Sequence, residues 1–198
     1  NTTADNNTAV GYHALDTNTT GSENTALGRL ALQVNTTASN NTAVGNATLL
    51  ANTTGANNTA LGNAALLANT TGASNVGIGL GALEAVTVGG ANVGVGRDAG
   101  YNTTTGEYNI SMGYQSKPSA VDTDNEITIG KALTGKGAGT GFYGGNSAIY
   151  NEANATAWSQ VSDQRIKKNI EDNNTGLDVI KKVKIRNFEY RLPEEIEE

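Results

Sequence analysis

The chain has no cysteine, one histidine, one tryptophan and only two prolines in 198 residues. Without cysteine there can be neither a disulfide framework nor a thiolate metal site. No apolar run approaches the ~18 residues of a membrane-spanning helix, and nothing reads as a signal peptide. Membrane insertion is therefore not expected, and any export signal or anchor is expected outside this chain. Charged residues make up 16% of the chain, and the net charge of −6 has the wrong sign for a nucleic-acid binder. The sequence also lacks a phosphate-cradling loop, paired catalytic carboxylates and a Ser/His/Asp set, so neither a cofactor nor a metal is expected.

Glycine, asparagine, threonine and alanine dominate instead, in strict order. Asn7, Asn24, Asn41, Asn58, Asn75, Asn92 and Asn109 are each 17 residues apart. Gly11, Gly28, Gly45, Gly62, Gly79, Gly96, Gly113 and Gly130 keep the same step. A fixed short period means one structural unit stacked on copies of itself. With Asn7 as position 1, the unit reads N-T-A-[VL]-G-x-x-A-L-x-x-N-T-T-G-x-x. Position 4 is apolar in eight units: Val10, Leu27, Val44, Leu61, Ile78, Val95, Met112 and Ile129. Position 9 is leucine in the first five (Leu15, Leu32, Leu49, Leu66, Leu83) and lapses at Gly100.

Glycine at this density would destabilise a helix by about 1 kcal/mol at each site, so a helical repeat is excluded. The period predicts an all-β fold, a parallel β-roll or β-solenoid with 17-residue rungs. Two strands per rung would alternate inward apolar and outward polar residues, with Gly or Asn supplying positive φ at the corners. Asparagines at positions 1 and 12 would stack on one another along the column. A single column has a thin core, and association into a homotrimer is the expected way to bury more.

Composition changes twice along the chain. Residues 1–130 form the repeat. Residues 131–161 break the period, with six glycines from Gly135 to Gly145 and the aromatics Phe142, Tyr143, Tyr150 and Trp158. They read as an irregular collar in which the aromatics pack a junction; a carbohydrate platform is the sharper alternative. The last 36 residues hold 8 of the 13 basic and 9 of the 19 acidic residues. With Ser162 before them they make the third segment, 162–198, which is expected to be a short α+β unit.

The unit N-T-A-[VL]-G-x-x-A-L resembles the head repeats of trimeric autotransporter adhesins, which carry A-I-G-x-x-A units in left-handed parallel β-rolls. Similar Asn-Thr-Gly repeats occur in phage tail fibres. The run Ser162-Asp163-Gln164-Arg165-Ile166-Lys167-Lys168-Asn169-Ile170 is followed by Gly176-Leu177-Asp178-Val179-Ile180 and by Phe188-Glu189-Tyr190. It resembles the opening of the endosialidase-type intramolecular chaperone domain (peptidase S74) of phage tailspikes and fibres. That resemblance implies a trimerisation chaperone that cuts itself off between Ser162 and Asp163 using Ser162 and Lys167. It also implies supporting roles for Asp163, Arg165 and Asn169. A serine is a poor nucleophile until a base takes its proton, and a lysine can do so only when neutral. The implied chemistry is single-turnover autoproteolysis, not a turnover enzyme.

These readings converge on a self-assembling trimeric fibre of a phage tail, found on the virion or an extracellular surface. Its implied partners are its own copies, other tail proteins and a host cell-surface receptor, glycans among the candidates. A bacterial trimeric adhesin head is the first alternative. An ice-binding solenoid is the second, because threonine recurs at positions 2, 13 and 14; adjacent threonines at 13 and 14 would, however, point to opposite sides. Three smaller features carry less. His13 stands without ligand neighbours. Asp122, Asp124 and Glu126 form an acidic group that reads as a solvated loop before a calcium site. The N-x-T triplets, such as Asn18-Thr19-Thr20, follow from the repeat itself.

Overall fold

A computed structural model of the chain describes residues 3–144 and the strands Ile149–Asn151 and Ser159–Gln160. The chain divides into two units, Asn1–Val161 and Ser162–Glu198. The first unit is a parallel β-solenoid. Eight strands repeat at the 17-residue step: β1 (Thr8–Val10), β2 (Thr25–Leu27), β3 (Thr42–Val44), β4 (Thr59–Leu61), β5 (Val76–Ile78), β6 (Val93–Val95), β7 (Ile110–Met112) and β8 (Ile127–Ile129). Each pairs with the next in parallel, position on position, from Thr8 with Thr25 at one end to Ile110 with Ile127 at the other.

One three-residue strand, not two, is formed per rung; the remainder is turns. The backbone bonds nonetheless run along the column, because turn amides also donate to the adjacent rung. Leu32 N donates to Thr48 O at 3.0 Å and Leu66 N to Ala82 O at 2.9 Å. The corners also differ from expectation. Position 5 is glycine with φ between 110° and 149°, but position 9 puts leucine itself in the left-handed region, Leu15 to Leu83 at 49–53°. A non-glycine residue there costs roughly 1–2 kcal/mol. Burial explains the choice: Leu32, Leu49, Leu66 and Leu83 are almost completely enclosed and form the core with Ala26, Ala43, Ala60 and Ala65. Fully burying a leucine contributes about 1.5–3 kcal/mol, enough to offset the backbone strain.

Two asparagine columns stitch the rungs together. At position 1 the side-chain oxygen accepts the next asparagine's backbone N–H, as Asn41 does from Asn58 N at 2.9 Å. Its amide donates to the position-15 carbonyl of its own rung, Asn58 Nδ2 to Gly72 O at 2.8 Å. At position 12, Asn35, Asn52 and Asn69 each donate to the preceding side-chain oxygen, and their amides also reach the position-15 carbonyl. From Asn18 onward both columns are buried, and their amide nitrogens find partners inside the protein. The buried position-12 amides are not open acceptors for glycosylation in the folded column.

The 17-residue step persists to the parallel bridge between Lys117 and Thr134, a few residues past 130, and is lost after it. β9 (Gly141–Tyr143) still pairs in parallel with β8, but Ile127 meets Gly141, a step of 14 residues. β10 (Ile149–Asn151) and β11 (Ser159–Gln160) then continue the sheet antiparallel. Phe142 packs against Leu133, with the Lys136 ammonium 5.0 Å from its ring centre. Trp158 lies outside the described residues.

Candidate self-association surface

Strand geometry decides which side chains face out. Successive residues point to opposite sides, so in Thr-Ala-Val the alanine and its two neighbours part company. Position 3 is buried in β2 to β8. Positions 2 and 4 therefore face outward together. This corrects the expectation that the apolar strand residues point inward and the polar ones outward: Val10 is 57% exposed, Leu27 and Leu61 46%, and Met112 38%. The physical reason is room. The column interior accepts only a small residue at position 3 because the position-9 leucine lies directly behind it. An added Cβ on Gly77 would come 3.2 Å from Leu66 Cγ.

The outward face is thus a stripe of sixteen side chains, two per rung from β1 to β8, and none is charged. Position 4 is aliphatic or methionine throughout. Position 2 is threonine in β1 to β4 (Thr8, Thr25, Thr42, Thr59) and Val76, Val93, Ile110, Ile127 in β5 to β8. Val10, Leu27, Leu61 and Met112 stand open on this face, whereas the other positions of β5 to β8 are partly buried in the column itself. A continuous uncharged apolar stripe on a protein surface is a candidate contact surface.

The interior changes along the same axis. Through the fifth rung it is leucine and alanine. Beyond Leu83, position 9 becomes Gly100 and then Lys117, and the inside turns polar. Ser111 Oγ lies 3.2 Å from Thr128 Oγ1, and Ser116 Oγ donates to Thr128 O at 2.9 Å. Glu126 stands where seven asparagines stood before and is fully buried. Its carboxylate accepts from Ser119 N at 2.8 Å, Ser119 Oγ at 2.9 Å, Gly137 N at 2.7 Å and Thr140 Oγ1 at 3.3 Å. Four donors and no acceptor suit a carboxylate and would leave an asparagine's amide unpaired. The longer glutamate arm also bridges the rung to the shortened turn that comes after it. The acidic group read from sequence is therefore split: Asp122 and Asp124 are exposed, whereas Glu126 is a structural acceptor and not part of a solvated loop. Among the described residues no group of three or more His, Asp or Glu is arranged to hold a metal.

Of the remaining sequence candidates, His13 is exposed, with Nδ1 2.7 Å from Asp16 Oδ2. The position-13 threonines spend their hydroxyls on the adjacent rung, as Thr53 Oγ1 does on Thr70 O at 3.0 Å. Ser162, Asp163, Arg165, Lys167 and Asn169 lie outside the described residues. Sequence reasoning misses the outward stripe, although one signal marks it: position 3 is alanine, glycine or serine in β1 to β7 while its neighbours are threonine, β-branched or large. No protein-family model matches the chain, and no curated protein or solved structure resembles it significantly.

Proposed function

We propose that the chain is the column of a homotrimeric fibre or spike of the phage-tail class, which mediates adhesion to a host surface. One observation carries the reading: an uncharged, largely aliphatic stripe runs along the outer side of the solenoid from β1 to β8. A column built to work alone would place polar residues there. Three copies facing a common axis would share the stripes as a second core, leaving the outer faces and turns free to contact a receptor. The Ser162–Asp163 motif adds a chaperone that aligns the copies and then releases itself through Ser162 and Lys167, with Asp163, Arg165 and Asn169 in support. Such an aid suits a repeat in which a slip of one rung forfeits little contact.

The test is mass measurement of protein from the complete gene, native and denatured. A native mass of three chains supports the fibre, and a denatured chain ending at Ser162 supports release. An uncut trimer keeps the fibre and makes the last segment a retained cap. A monomer ends the reading.

A second reading is favoured by one feature. Thr8, Thr25, Thr42 and Thr59 stand in register on one face beside Val10, Leu27, Val44 and Leu61, an arrangement that could order water as an ice-binding surface does. Thermal hysteresis from a monomer would establish it, and a trimer that buries this face would remove it.

A further inference from the structure

The variable positions of the repeat gather in its turns, and the turn at positions 6 to 10 carries most of the aromatic rings. Three of the four tyrosines between residues 7 and 130, Tyr12, Tyr101 and Tyr114, stand at position 6 or 10. Neither position belongs to the outward strand stripe. Variable turns on a rigid scaffold are where binding residues are commonly placed. In the first rung His13, at position 7, bonds Asp16, at position 10, so these two positions of the turn meet. In the sixth and seventh rungs, which carry β6 and β7, the same turn holds two ring–cation pairs. The Arg97 guanidinium is 5.5 Å from the Tyr114 ring centre. The Lys117 ammonium is 4.9 Å from the Tyr101 ring centre and donates to its hydroxyl at 2.7 Å. The Asp98 carboxylate lies 3.3 Å from Arg97 Nε and accepts from Gln115 Nε2 at 3.5 Å.

Gly81 shapes the edge of this patch. Ala47 and Ala64 hold position 7 at φ 55° and 56°, and Gly81 holds it at 63°, so the backbone there does not require glycine. The neighbouring side chains do: a Cβ on Gly81 would lie 2.8 Å from Asp98 Oδ1 and 3.4 Å from Glu84 Oε2. Its absence lets both carboxylates converge on one spot. Tyr101 stands one rung above Glu84 and Gln115 one rung above Asp98, so the repeat sets the tyrosine beside the amide as it sets the two acids together. We propose that this turn of the sixth and seventh rungs is a carbohydrate-binding site whose ligand is a neutral, hexose-containing glycan. The inference rests on the adhesion reading above and gives its receptor a chemistry and a place. A pyranose has an apolar C–H face and a rim of hydroxyls. The exposed rings of Tyr101 and Tyr114 take the face. Asp98 and Glu84 accept from the hydroxyls, and Arg97, Gln115 and Lys117 donate to them. The cation contacts already hold both rings, so little freedom is lost on binding. Charge selects the ligand, because the cations Arg97 and Lys117 are balanced by the carboxylates of Asp98 and Glu84. An acidic sugar would set a further negative charge against those carboxylates.

The test applies the full chain to a printed panel of neutral oligosaccharides built from glucose, galactose, mannose and N-acetylhexosamines, with uronic- and sialic-acid glycans beside them. Retention on at least one neutral glycan is expected. Tyr101→Ala/Tyr114→Ala and Asp98→Ala should each weaken it by about tenfold or more at unchanged circular dichroism. Gly81→Ala, whose new Cβ crowds Asp98 at a φ that alanine already adopts in this column, should weaken it in the same direction. Tyr12→Ala, which removes a ring from the same turn five rungs away, should bind as the wild type does. Retention of no neutral glycan overturns the site, as does retention of acidic glycans alone or full binding by the double tyrosine variant. Native mass separates this outcome from the reading beneath it. A trimer that retains no neutral glycan rejects the site and leaves the fibre, whereas a monomer that binds one through Tyr101 and Tyr114 keeps the site and ends the fibre.

Discussion

The first four rungs and the last three solve the same problem in opposite ways. In the lower rungs each turn closes over a buried leucine, and the strand's outer face is half threonine. In the upper rungs the position-9 leucine is gone, the interior combines Ala99 and the Leu133–Phe142 pair with buried hydroxyls and one carboxylate, and the outer strand face is wholly apolar. The strand pairing does not change between the two. The ladder of amides is therefore indifferent to where apolar groups sit, and the side chains decide how much apolar surface the column encloses by itself.

Substitutions in the two halves should tell them apart. The greatest loss is expected in the lower half: Leu49→Ala should lower unfolding free energy by about 2–5 kcal/mol, read by denaturant titration, because it empties a fully enclosed site. Gly62→Ala should cost about 3 kcal/mol, since φ is +126° and the new Cβ would lie 2.6 Å from Gly79 O. In the upper half Glu126→Ala should also cost about 3 kcal/mol by stranding its donors, and amide exchange should quicken around residues 119 and 137–140 first. Asn52→Ala, which interrupts the position-12 column, should cost about 1–2 kcal/mol.

A gain of stability is expected at one seam. The position-12 column stops at Asn69 because the next residue in it is Val86, and Asn69 Oδ1 and Thr103 Oγ1 are both buried without partners. Val86→Asn would sit between them, donating to one and accepting from the other. We expect a gain of about 1 kcal/mol, partly offset by lost valine burial, visible as a rise in Tm. A fall in Tm would show that the apolar contact at Val86 outweighs the two repaired groups.

Much of this column is legible in the sequence. The period predicts the parallel stacking, the asparagines at positions 1 and 12 predict the two amide ladders, and the leucines at position 9 predict the core. Position 4 misleads because apolarity alone does not say which face of the strand a residue occupies. A valine on the outer face of the column and one in its interior look alike in a sequence. The left-handed leucines are invisible for a related reason: local propensity argues against them, and only burial reverses it. Glu126 reads with its acidic neighbours, whereas its informative neighbours are the asparagines 17 residues apart. The chaperone residues Ser162 and Lys167 fall beyond the described residues and rest on their motif.

The second and third rungs receive the same bonds from below and pass the same bonds upward, so either can be removed or copied whole without leaving a loose end. A gene carrying such a stretch can lengthen or shorten its product in increments of 17 codons, the period of the repeat. Recombination between repeats thereby becomes a means of adjusting reach. The break in the amide column at Val86 and the carboxylate at Glu126 are the marks at which that freedom stops.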